Sequence, residues 1–500
     1  MKKAIICLLV IINIFSIKTL YSEEDITVGS FNDSEIKVGI QSGTIQEGIA
    51  DKMIPNAEKI YFDDYSSIYM ALSDGKIDCY ITPAAIYRQI ADTYPQFIPC
   101  EEKLPGTEIA YGLSKDPSKD RLYEELCSFI SQNRELIDDR LSQWKNNFDE
   151  VERPKYHELS SENGVLKVIV SATAEPYIYY ENNEITGFEV DLLTHFADEY
   201  GYGLEFEDCP FDSIILAIKQ DKADIASACL AATEERKQSI RFSTPYLSEY
   251  NILVYSEAIT KGASIGFFDN FYKSFIREDR YKLMINGLIT TLVITITSAI
   301  LATILAAIIC FLKIRGNKTI NKICDAYIQV FEGTPILVLL LVFYYVIFSD
   351  RSASAMFVSI IVCALNSAAF FAESLYAGIK NVDPGQKEAG LALGYNEFQT
   401  FTKFILPCAA QTFLPTYQSS IISLLKGTSV VSYISVQDLT KAAEIIRTRT
   451  YEPLLPLVSV AIIYFLLSRL ITYSFKKLQE SLKPQRCGKY LKGVKLHDKD

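Results

Sequence analysis

The chain has 500 residues, a formal net charge of −12, and 49% hydrophobic against 22% charged side chains. That length accommodates two to four domains of roughly 100–200 residues each, and the apolar content excludes a disordered chain. Residues 21–260 hold 45 acidic and 20 basic side chains, whereas residues 261–500 hold 16 acidic and 26 basic ones. The acidic half lacks the clustered cations that phosphate contacts require, so general binding of nucleic acid is excluded.

The chain begins with a segment typical of a secretory signal. Two lysines precede an apolar run over residues 4–17, and the small Ser22 follows shortly after it. The run is shorter than the roughly 20 residues that a membrane span requires. We therefore predict a signal peptide at residues 1–22, and the alternative is an uncleaved signal anchor. Either way, residues from 23 onward are expected outside the cytoplasm.

Two stretches of the exported half alternate strand-like with helical runs. β-Branched runs predict the strands, and apolar residues at helical spacing predict the helices. Such alternation predicts a twisted α/β sheet in each stretch. Two small α/β lobes with a ligand in the cleft between them are typical of a hinged binding protein. The predicted strands include 36–40, 77–81, 166–170 and 204–206, and the helical runs include 65–73, 84–92, 189–200 and 214–218.

Five apolar stretches in the second half are long enough to span a membrane. Basic residues follow the first and the fifth of them, and an excess of Lys and Arg marks the cytoplasmic side. The first span therefore runs from outside to inside, which agrees with an exported N-terminal half. Residues 380–403, between spans three and four, then form a cytoplasmic loop. The spans are 287–312, 326–331 with 335–349, 354–375, 415–436 and 454–475.

Three charged residues interrupt these spans: Glu332, Glu373 and Lys426. A charge inside a membrane is costly and is therefore a candidate for function. These side chains either pair with one another or lie near the membrane interface, or they line a transport path. Both interpretations stay open at this point.

The exported half also carries motifs of a known family. The strings GFEVDLL, TEER and FSTPY, within residues 164–257, resemble the first lobe of the amino-acid-type periplasmic solute-binding proteins. IKVGIQSGTIQEG and YSSIYMALSDGKIDCYIT, within residues 36–112, resemble the second lobe, and residues 113–150 resemble the closing helices. Because this order is inverted, the resemblance implies a circularly permuted, two-lobed α/β binding domain at residues 23–257, with about 151–164 joining the old ends. The alternative is a decayed tandem of two partial domains.

The resemblance implies a set of ligand-binding residues in the cleft. Arg236 of the TEER string matches the family's arginine, whose planar fork of donors holds a ligand carboxylate. Phe211 matches an aromatic wall of the pocket, and Tyr177 is expected beside it. The other expected ligand-binding residues are Ser171, Cys229 and Ala231 in the first lobe and Gln41, Thr44 and Thr82 in the second.

The sequence departs from this family where an ammonium group would bind. Ser171 and Pro83 stand at positions where the family usually has carboxylates. A cation in a closed cleft needs a charged or fully polar partner, and Glu175 is the candidate substitute. The solute therefore stays open between an α-amino acid and another small carboxylate.

Residues 284–478 resemble the permease subunits of polar amino acid ABC importers. The strings EGTP at 332–335, EAGLALG at 388–394 and LLKGTSVVSYISVQDL at 424–439 carry this resemblance. It implies an all-α, five-span membrane permease domain. Residues 258–283 would be a linker before this domain, and residues 479–500 a basic cytoplasmic tail after it.

The EAGLALG string matches the coupling loop of such importers, in which a short helix with a glycine break docks on a separate ATPase; here the helix is expected at about 385–393. Glu388 would contact the ATPase, and the small Ala389 and Gly390 would allow its close approach. Gly394 would break the helix. The positive-inside rule places this loop in the cytoplasm independently of the resemblance.

We interpret the chain as an inner-membrane ABC importer subunit that captures a small polar solute, such as an amino acid, outside the cytoplasm. No G-x-x-x-x-G-K-[ST] string occurs, so ATP is expected to be used by a separate ATPase, with no cofactor in this chain. No catalytic constellation or metal site is predicted. A lipid-embedded permease homodimer is expected, with a heterodimer as the alternative. The rival interpretation is a ligand-gated receptor or channel with a binding-protein-like sensor.

Overall fold

The structure is a computed structural model that describes residues 26–91, 93–256, 267–348, 353–450, 452 and 454–482. The predicted signal peptide and most of the predicted basic tail lie outside the described residues. An α/β half precedes a helical half, which confirms the predicted fold class.

The strands of the α/β half are β1 (Lys37–Gln41), β2 (Glu58–Phe62), β3 (Cys79–Pro83), β4 (Phe97–Pro99), β5 (Leu104–Ile109), β6 (Gly112–Leu113), β7 (Val165–Val170), β8 (Thr173–Ala174), β9 (Ile178–Glu181), β10 (Glu184–Thr186), β11 (Gly203–Asp208), β12 (Ile225–Ser227), β13 (Arg241–Phe242) and β14 (Leu247–Ser256). Its α-helices are α1 (Gln46–Met53), α2 (Tyr65–Ser73), α3 (Ala84–Ile90), α4 (Asp120–Gln132), α5 (Arg134–Asn146), α6 (Phe188–Tyr200), α7 (Ile214–Lys219) and α8 (Glu234–Ser239).

These strands form two main sheets, which we assign to two lobes. The sheet of lobe A has the order β2–β1–β3–β14–β4, with β5 paired to β14, and the sheet of lobe B has the order β11–β7–β12–β6–β13. In each lobe the central strands run parallel, as expected where helices connect successive strands. The inner residues of these strands, such as Val38, Ile40, Val168 and Val170, are fully buried.

Two connections cross between the lobes. The chain passes from β5 in lobe A to β6 in lobe B, and it returns from β13 in lobe B to β14 in lobe A. The sequence had suggested lobe limits at residues 112 and 257, but β6 pairs with β12 and β13, and β14 pairs with β3, β4 and β5. The predicted limits differ from the structure at β6 and β14 because strand pairing across a hinge depends on residues that are far apart in sequence.

The two closing helices pack on lobe B. Leu122, Leu126, Phe129 and Ile130 form a buried stripe along α4, at the i, i+4 and i+7 spacing of one helix face. Phe129 meets Phe196 of α6 with ring centroids 5.6 Å apart. From α5, the fully buried Trp144 donates from Nε1 to Asp191 of α6 at 2.8 Å.

The helical half begins after residue 266. Its α-helices are α9 (Phe267–Phe271), α10 (Tyr281–Arg315), α11 (Lys318–Gly333), α12 (Ile336–Val342), α13 (Ala355–Lys380), α14 (Pro384–Ala392), α15 (Glu397–Thr400), α16 (Leu406–Gly427), α17 (Leu439–Thr450) and α18 (Leu454–Leu482).

Within the described residues, α10, α13 and α18 are each long and apolar enough to cross a membrane. Two further spans arise if each bent pair of helical segments counts as one span. α11 and the segment Ile336–Ile347 meet at 104°, and the segment Glu397–Ile434, which contains α16, meets α17 at 55°. This range of three to five includes the five predicted spans. α10 and α13 pack through small side chains such as Ala302, Ala306 and Ala368, which allow membrane helices to approach closely.

Candidate functional site

A cavity lies between lobe A and lobe B. Its volume is about 60 Å³; a water molecule needs roughly 10–15 Å³ on the same measure, so the cavity has room for a small solute and not for a polymer. Eight of the nine predicted ligand-binding residues line it: Gln41, Thr44, Ser171, Tyr177, Phe211, Cys229, Ala231 and Arg236. The ninth, Thr82, is fully buried in β3 beside the lining residue Pro83.

Arg236 joins the two walls of this cavity. Its Nη1 donates to the Ala231 carbonyl of lobe B at 3.0 Å, and its Nη2 donates to the Gly43 carbonyl of lobe A at 2.7 Å. The guanidinium carbon lies 5.4 Å from the ring centroid of Phe211, within the range of a cation–π contact. Burial lowers the pKa of Arg236 from its usual value. A guanidinium has five N–H donors, so donors remain for a ligand carboxylate.

A buried carboxylate shapes the wall of lobe B behind Cys229. Glu189 of α6 is fully buried, and it accepts hydrogen bonds from the Ser227 hydroxyl at 2.6 Å, from the Cys229 amide at 2.8 Å and from the Tyr246 hydroxyl. Cys229 has φ +49, a left-handed conformation that the hydrogen bond to Glu189 helps to hold. Glu189 was not predicted as a site residue, although an acidic residue within the apolar GFEVDLL helix was a signal for it.

A second missed residue, Glu249, lines the cavity from the hinge strand β14. Its Oε2 accepts hydrogen bonds from Lys145 Nζ at 2.5 Å and from the Tyr177 hydroxyl at 2.8 Å. Lys145 belongs to the closing helix α5, so this pair joins that helix to the hinge. Burial, and then the charge of Glu249, raise the pKa of Tyr177 well above its usual value, which keeps the hydroxyl protonated as a donor.

The predicted substitute Glu175 does not face this cavity. Its carboxylate forms an ion pair with Arg449 of α17, and it borders a separate, smaller cavity with that residue. Glu175 follows β8, whose last residue Ala174 does line the main cavity, and the next side chain points away from it. The interpretation of Glu175 as the ammonium partner is therefore wrong in this geometry.

Helix α17 contacts both lobes through its cations. Arg447 forms an ion pair with Asp64 of lobe A at 2.5 Å. Lys441 forms an ion pair with Asp208 of lobe B at 3.1 Å, and both side chains are at most 5% exposed. With the Arg449 contacts to Glu175 and Glu181, one helix of the helical half therefore holds the two walls of the cleft.

The predicted coupling loop folds as a helix, a glycine break and a second short helix. α14 begins at Pro384, capped by Asp383, and Gly394 follows its end with φ +84. Glu388 and Ala389 are exposed. Gly390 is buried instead, and a Cβ there would lie 2.6 Å from Thr400 Cγ2. Its small size thus serves the packing of α14 on α15, and its approach to a partner stays a prediction.

Two of the three predicted intramembrane charges are neighbours: the carboxyl groups of Glu332 and Glu373 lie within interaction distance of each other. Glu332 borders a cavity of about 270 Å³ together with the polar side chains of Asn366, Ser420 and Ser423. Glu373 and Lys426 are exposed on the helical half. Among the residues that the structure describes, no ion pair joins Lys426 to either carboxyl group, so a salt bridge to Lys426 within one chain does not explain Glu332 and Glu373.

Comparisons with known proteins agree with both halves. The family described as bacterial extracellular solute-binding proteins, family 3, matches residues 166–404. The putative glutamine transport system permease protein GlnP of Rickettsia typhi (strain ATCC VR-144 / Wilmington) is 30% identical over 202 residues, which cover 40% of this chain and 92% of that protein. The arginine transport system permease protein ArtQ of Bacillus subtilis (strain 168) is 31% identical over 163 residues, which cover 32% of this chain and 74% of that protein.

One solved structure, described as an amino acid ABC transporter with histidines, is 30% identical in sequence; the match covers 44% of this chain and 100% of that chain, with a TM-score of 0.39. The relatives above are matched over most of their own length, and the solute-binding match begins in strand β7 of lobe B. The chain therefore belongs to the polar amino acid ABC importers, as a subunit that unites a solute-binding domain and a permease in one polypeptide.

Proposed function

We propose that the α/β half binds a small carboxylate-bearing solute, most simply an amino acid, on the outer face of the membrane and passes it to the helical half. The observation that carries this proposal is the position of Arg236. Its guanidinium lies in the cleft and donates to both lobes, so a carboxylate bound there would hold the cleft closed. Relatives named for glutamine and arginine transport support an amino acid as the solute.

We propose that a separate ATPase subunit binds and hydrolyses ATP, and that this chain has no catalytic residues and holds no cofactor or metal. The coupling loop supports this division of labour. Leu391, Leu393 and Phe398 in it are 43%, 69% and 75% exposed. Clustered apolar side chains on a surface mark a site of protein contact.

We also propose that the binding domain covers residues 23–257 and is circularly permuted. Its sheets support this order: the closing helices α4 and α5 stand between β6 and β7 in the chain, and β7 is a central strand of lobe B. In an unpermuted arrangement β7 would come first and the closing helices last. Residues 151–164 now connect the two.

The permease is proposed to work as a homodimer in the lipid of the inner membrane, because three to five spans are too few to enclose a path. The open cavity beside Glu332 would face the partner copy. Apolar side chains along α18, among them Phe465, Leu466 and Leu470, are more than half exposed. Such a surface suits lipid or a second copy.

The test is reconstitution of the full chain in nanodiscs with its ATPase. We expect one or more of the common amino acids to stimulate ATP hydrolysis, and the same amino acid to accumulate inside proteoliposomes only when ATP is supplied. Solute-evoked current through the chain without any ATPase would contradict the importer and would favour the channel.

A further inference from the structure

A short helical segment with two different faces precedes the long helix α10. It consists of α9 and the π-helical turn Tyr272–Ile276, and we call residues 267–276 the pre-span segment. Its exposed apolar side chains follow the i, i+3, i+4 and i+8 spacing of roughly one helix face. They are Phe268, Phe271, Tyr272 and Ile276, which are 84%, 43%, 60% and 45% exposed.

The opposite face of the pre-span segment is fixed to the helical half. Phe275 is buried in the same cluster as Leu439 of α17. Arg280, which is also buried, donates from Nη1 to the Lys273 carbonyl at 2.6 Å and from Nη2 to Glu278 at 2.8 Å. The packing of Phe275 and the hydrogen bonds of Arg280 therefore hold the exposed face in one orientation.

A corner separates the pre-span segment from α10. Glu278 and Asp279 have φ +56 and +53, left-handed conformations that interrupt a right-handed helix. After the corner, exposed apolar side chains recur every three or four residues along one face of α10, which is one of the helices able to cross a membrane. These side chains are Tyr281, Ile285, Ile289, Val293, Ile296 and Ile300. The exposed face of the pre-span segment therefore ends five residues before the apolar stripe of a spanning helix begins.

The composition of the exposed face selects lipid as its partner. A cluster of large apolar side chains on a surface marks a contact with a membrane or with a protein. Three of the four are aromatic, and with Tyr281 they stand at the end of a span, where aromatic rings are enriched at the membrane–water interface. We propose that the pre-span segment lies in the membrane interface on the side of the binding domain, with Phe268 and Tyr272 inserted between the lipid headgroups and the upper acyl chains.

The lipid contact reaches the binding domain through one helix. Phe275 joins the pre-span segment to α17, and α17 forms the ion pairs with both lobes. The membrane surface thereby supports the helix on which the binding domain rests.

The test uses tryptophan as a reporter of lipid contact. The chain has a single tryptophan, Trp144, and it is fully buried in the binding domain, so each added tryptophan reports its own surroundings. Phe268→Trp and Tyr272→Trp are made separately in the full chain. Each variant is placed in nanodiscs of phosphatidylcholine that carries bromine, a contact quencher, either near the top or near the end of its acyl chains.

Two further variants provide the references for water and for the membrane interior. Tyr61→Trp is the matched control, because Tyr61 is 50% exposed on β2 of lobe A and meets only water. Ile289→Trp lies on the exposed stripe of α10, about 12 Å along the helix axis from Tyr281. The wild type reports Trp144 alone.

We expect shallow bromines to reduce the added fluorescence of Phe268→Trp and Tyr272→Trp by at least about twofold, and deep bromines to reduce it less. Ile289→Trp should show the reverse order, and Tyr61→Trp and the wild type should change by less than about a tenth. Because the two reporters are independent, misfolding of one variant leaves the other as a test.

Three results would overturn the proposal, provided that Ile289→Trp is quenched. Equal fluorescence of both reporters in plain and brominated lipid would mean that the face meets water. Blue-shifted emission without quenching would mean that a second copy or another protein covers it. Stronger quenching by deep than by shallow bromines would mean that the pre-span segment is part of the span itself.

Discussion

Arg447 of α17 forms an ion pair with the buried Asp64 of lobe A, with Nη2 and Oδ2 2.5 Å apart. Asp64 also caps α2, because it accepts a hydrogen bond from the Ser67 amide at 2.9 Å. One carboxylate therefore fixes both a helix end and a contact between the two halves of the chain. Lys441, near the other end of α17, holds Asp208 of lobe B. A hinge motion that separates the lobes would have to break the contacts at one end of this helix.

Removal of Arg447 should uncouple the two halves without harming the cleft. Arg447→Ala leaves the Asp64 cap of α2 intact but leaves a buried carboxylate unpaired, which costs about 2–5 kcal/mol at an interface. We expect solute-stimulated ATP hydrolysis to fall at least about tenfold, while solute affinity by calorimetry stays within about twofold. Lys282→Ala, which removes an exposed pair with Asp279, is the control and should change neither quantity. A loss of solute affinity in Arg447→Ala would contradict this assignment.

Replacement of Arg236 by lysine should show that the shape of the cation matters as well as its charge. Lysine keeps the charge but loses the planar fork that matches a carboxylate, and it has one nitrogen in place of the two that donate to Ala231 and Gly43. We expect Arg236→Lys to weaken solute binding by about a hundredfold in calorimetry on the full chain. The neighbouring Lys237, which pairs with Glu234 at the surface, provides the control Lys237→Ala. Equal affinity in Arg236→Lys and wild type would remove Arg236 from the site.

The buried Glu189 should make stability depend on pH in a defined direction. Burial raises the pKa of its carboxyl, although hydrogen bonds from Ser227, Tyr246 and Cys229 oppose the shift. A carboxyl whose pKa is higher in the folded than in the unfolded chain contributes most to stability at low pH. That contribution declines as pH rises from the unfolded pKa through the folded pKa.

We therefore expect the difference in Tm between wild type and Glu189→Gln to shift toward the variant as the pH rises above about 4, the pKa of an unfolded glutamate. Differential scanning fluorimetry on the full chain measures it. Glu205→Gln, at an exposed position of β11, should show no such trend. A Tm difference that moves toward the wild type with rising pH would mean that Glu189 has a lowered pKa in the folded chain.

The coupling loop allows a test by rescue. Gly390→Ala places a methyl group against Thr400, whose Cγ2 would be 2.6 Å away, so we expect α14 to separate from α15 and the ATPase to co-purify poorly. The Thr400 hydroxyl is buried without a hydrogen-bond partner among the described residues. Gly390→Ala/Thr400→Ala should therefore recover much of the association. Glu388→Ala, on the exposed face, should weaken association with no rescue by Thr400→Ala. Failure of the rescue would show that Gly390 contacts the ATPase itself.

Local patterns in the sequence predicted the elements that depend on nearby residues. The coupling helix was expected at about 385–393 and is found at Pro384–Ala392. The agreement is close because a proline at the start and a glycine after the end are local signals of helix boundaries. The first span was expected at 287–312, whereas α10 covers Tyr281–Arg315. Hydropathy detects only the apolar core of a span, and the helix continues through polar ends.

The parts that sequence reasoning missed depend on distant partners. The pairing of β14 with lobe A and the role of Glu249 both lie at the hinge. Glu249 is held in the site by its ion pair with Lys145, 104 residues earlier, and no local sequence spacing links the two residues. Glu175 was expected in the cleft because it is next in sequence to Ala174, which lines the cleft. Glu175 instead lies in the turn that follows β8, and its carboxylate binds Arg449.

The end of β14 at Ser256 and the start of α9 at Phe267 leave ten residues between the binding domain and the helical half. Ten residues can span at most about 35 Å. Recapture after any release from α17 is therefore an intramolecular event, at an effective concentration on the order of millimolar. A freely diffusing solute receptor must compete with its own unloaded copies for the membrane subunit. Here each membrane subunit carries its own receptor domain, so the uptake rate per subunit should follow the external solute level and should not depend on the abundance of a separate receptor.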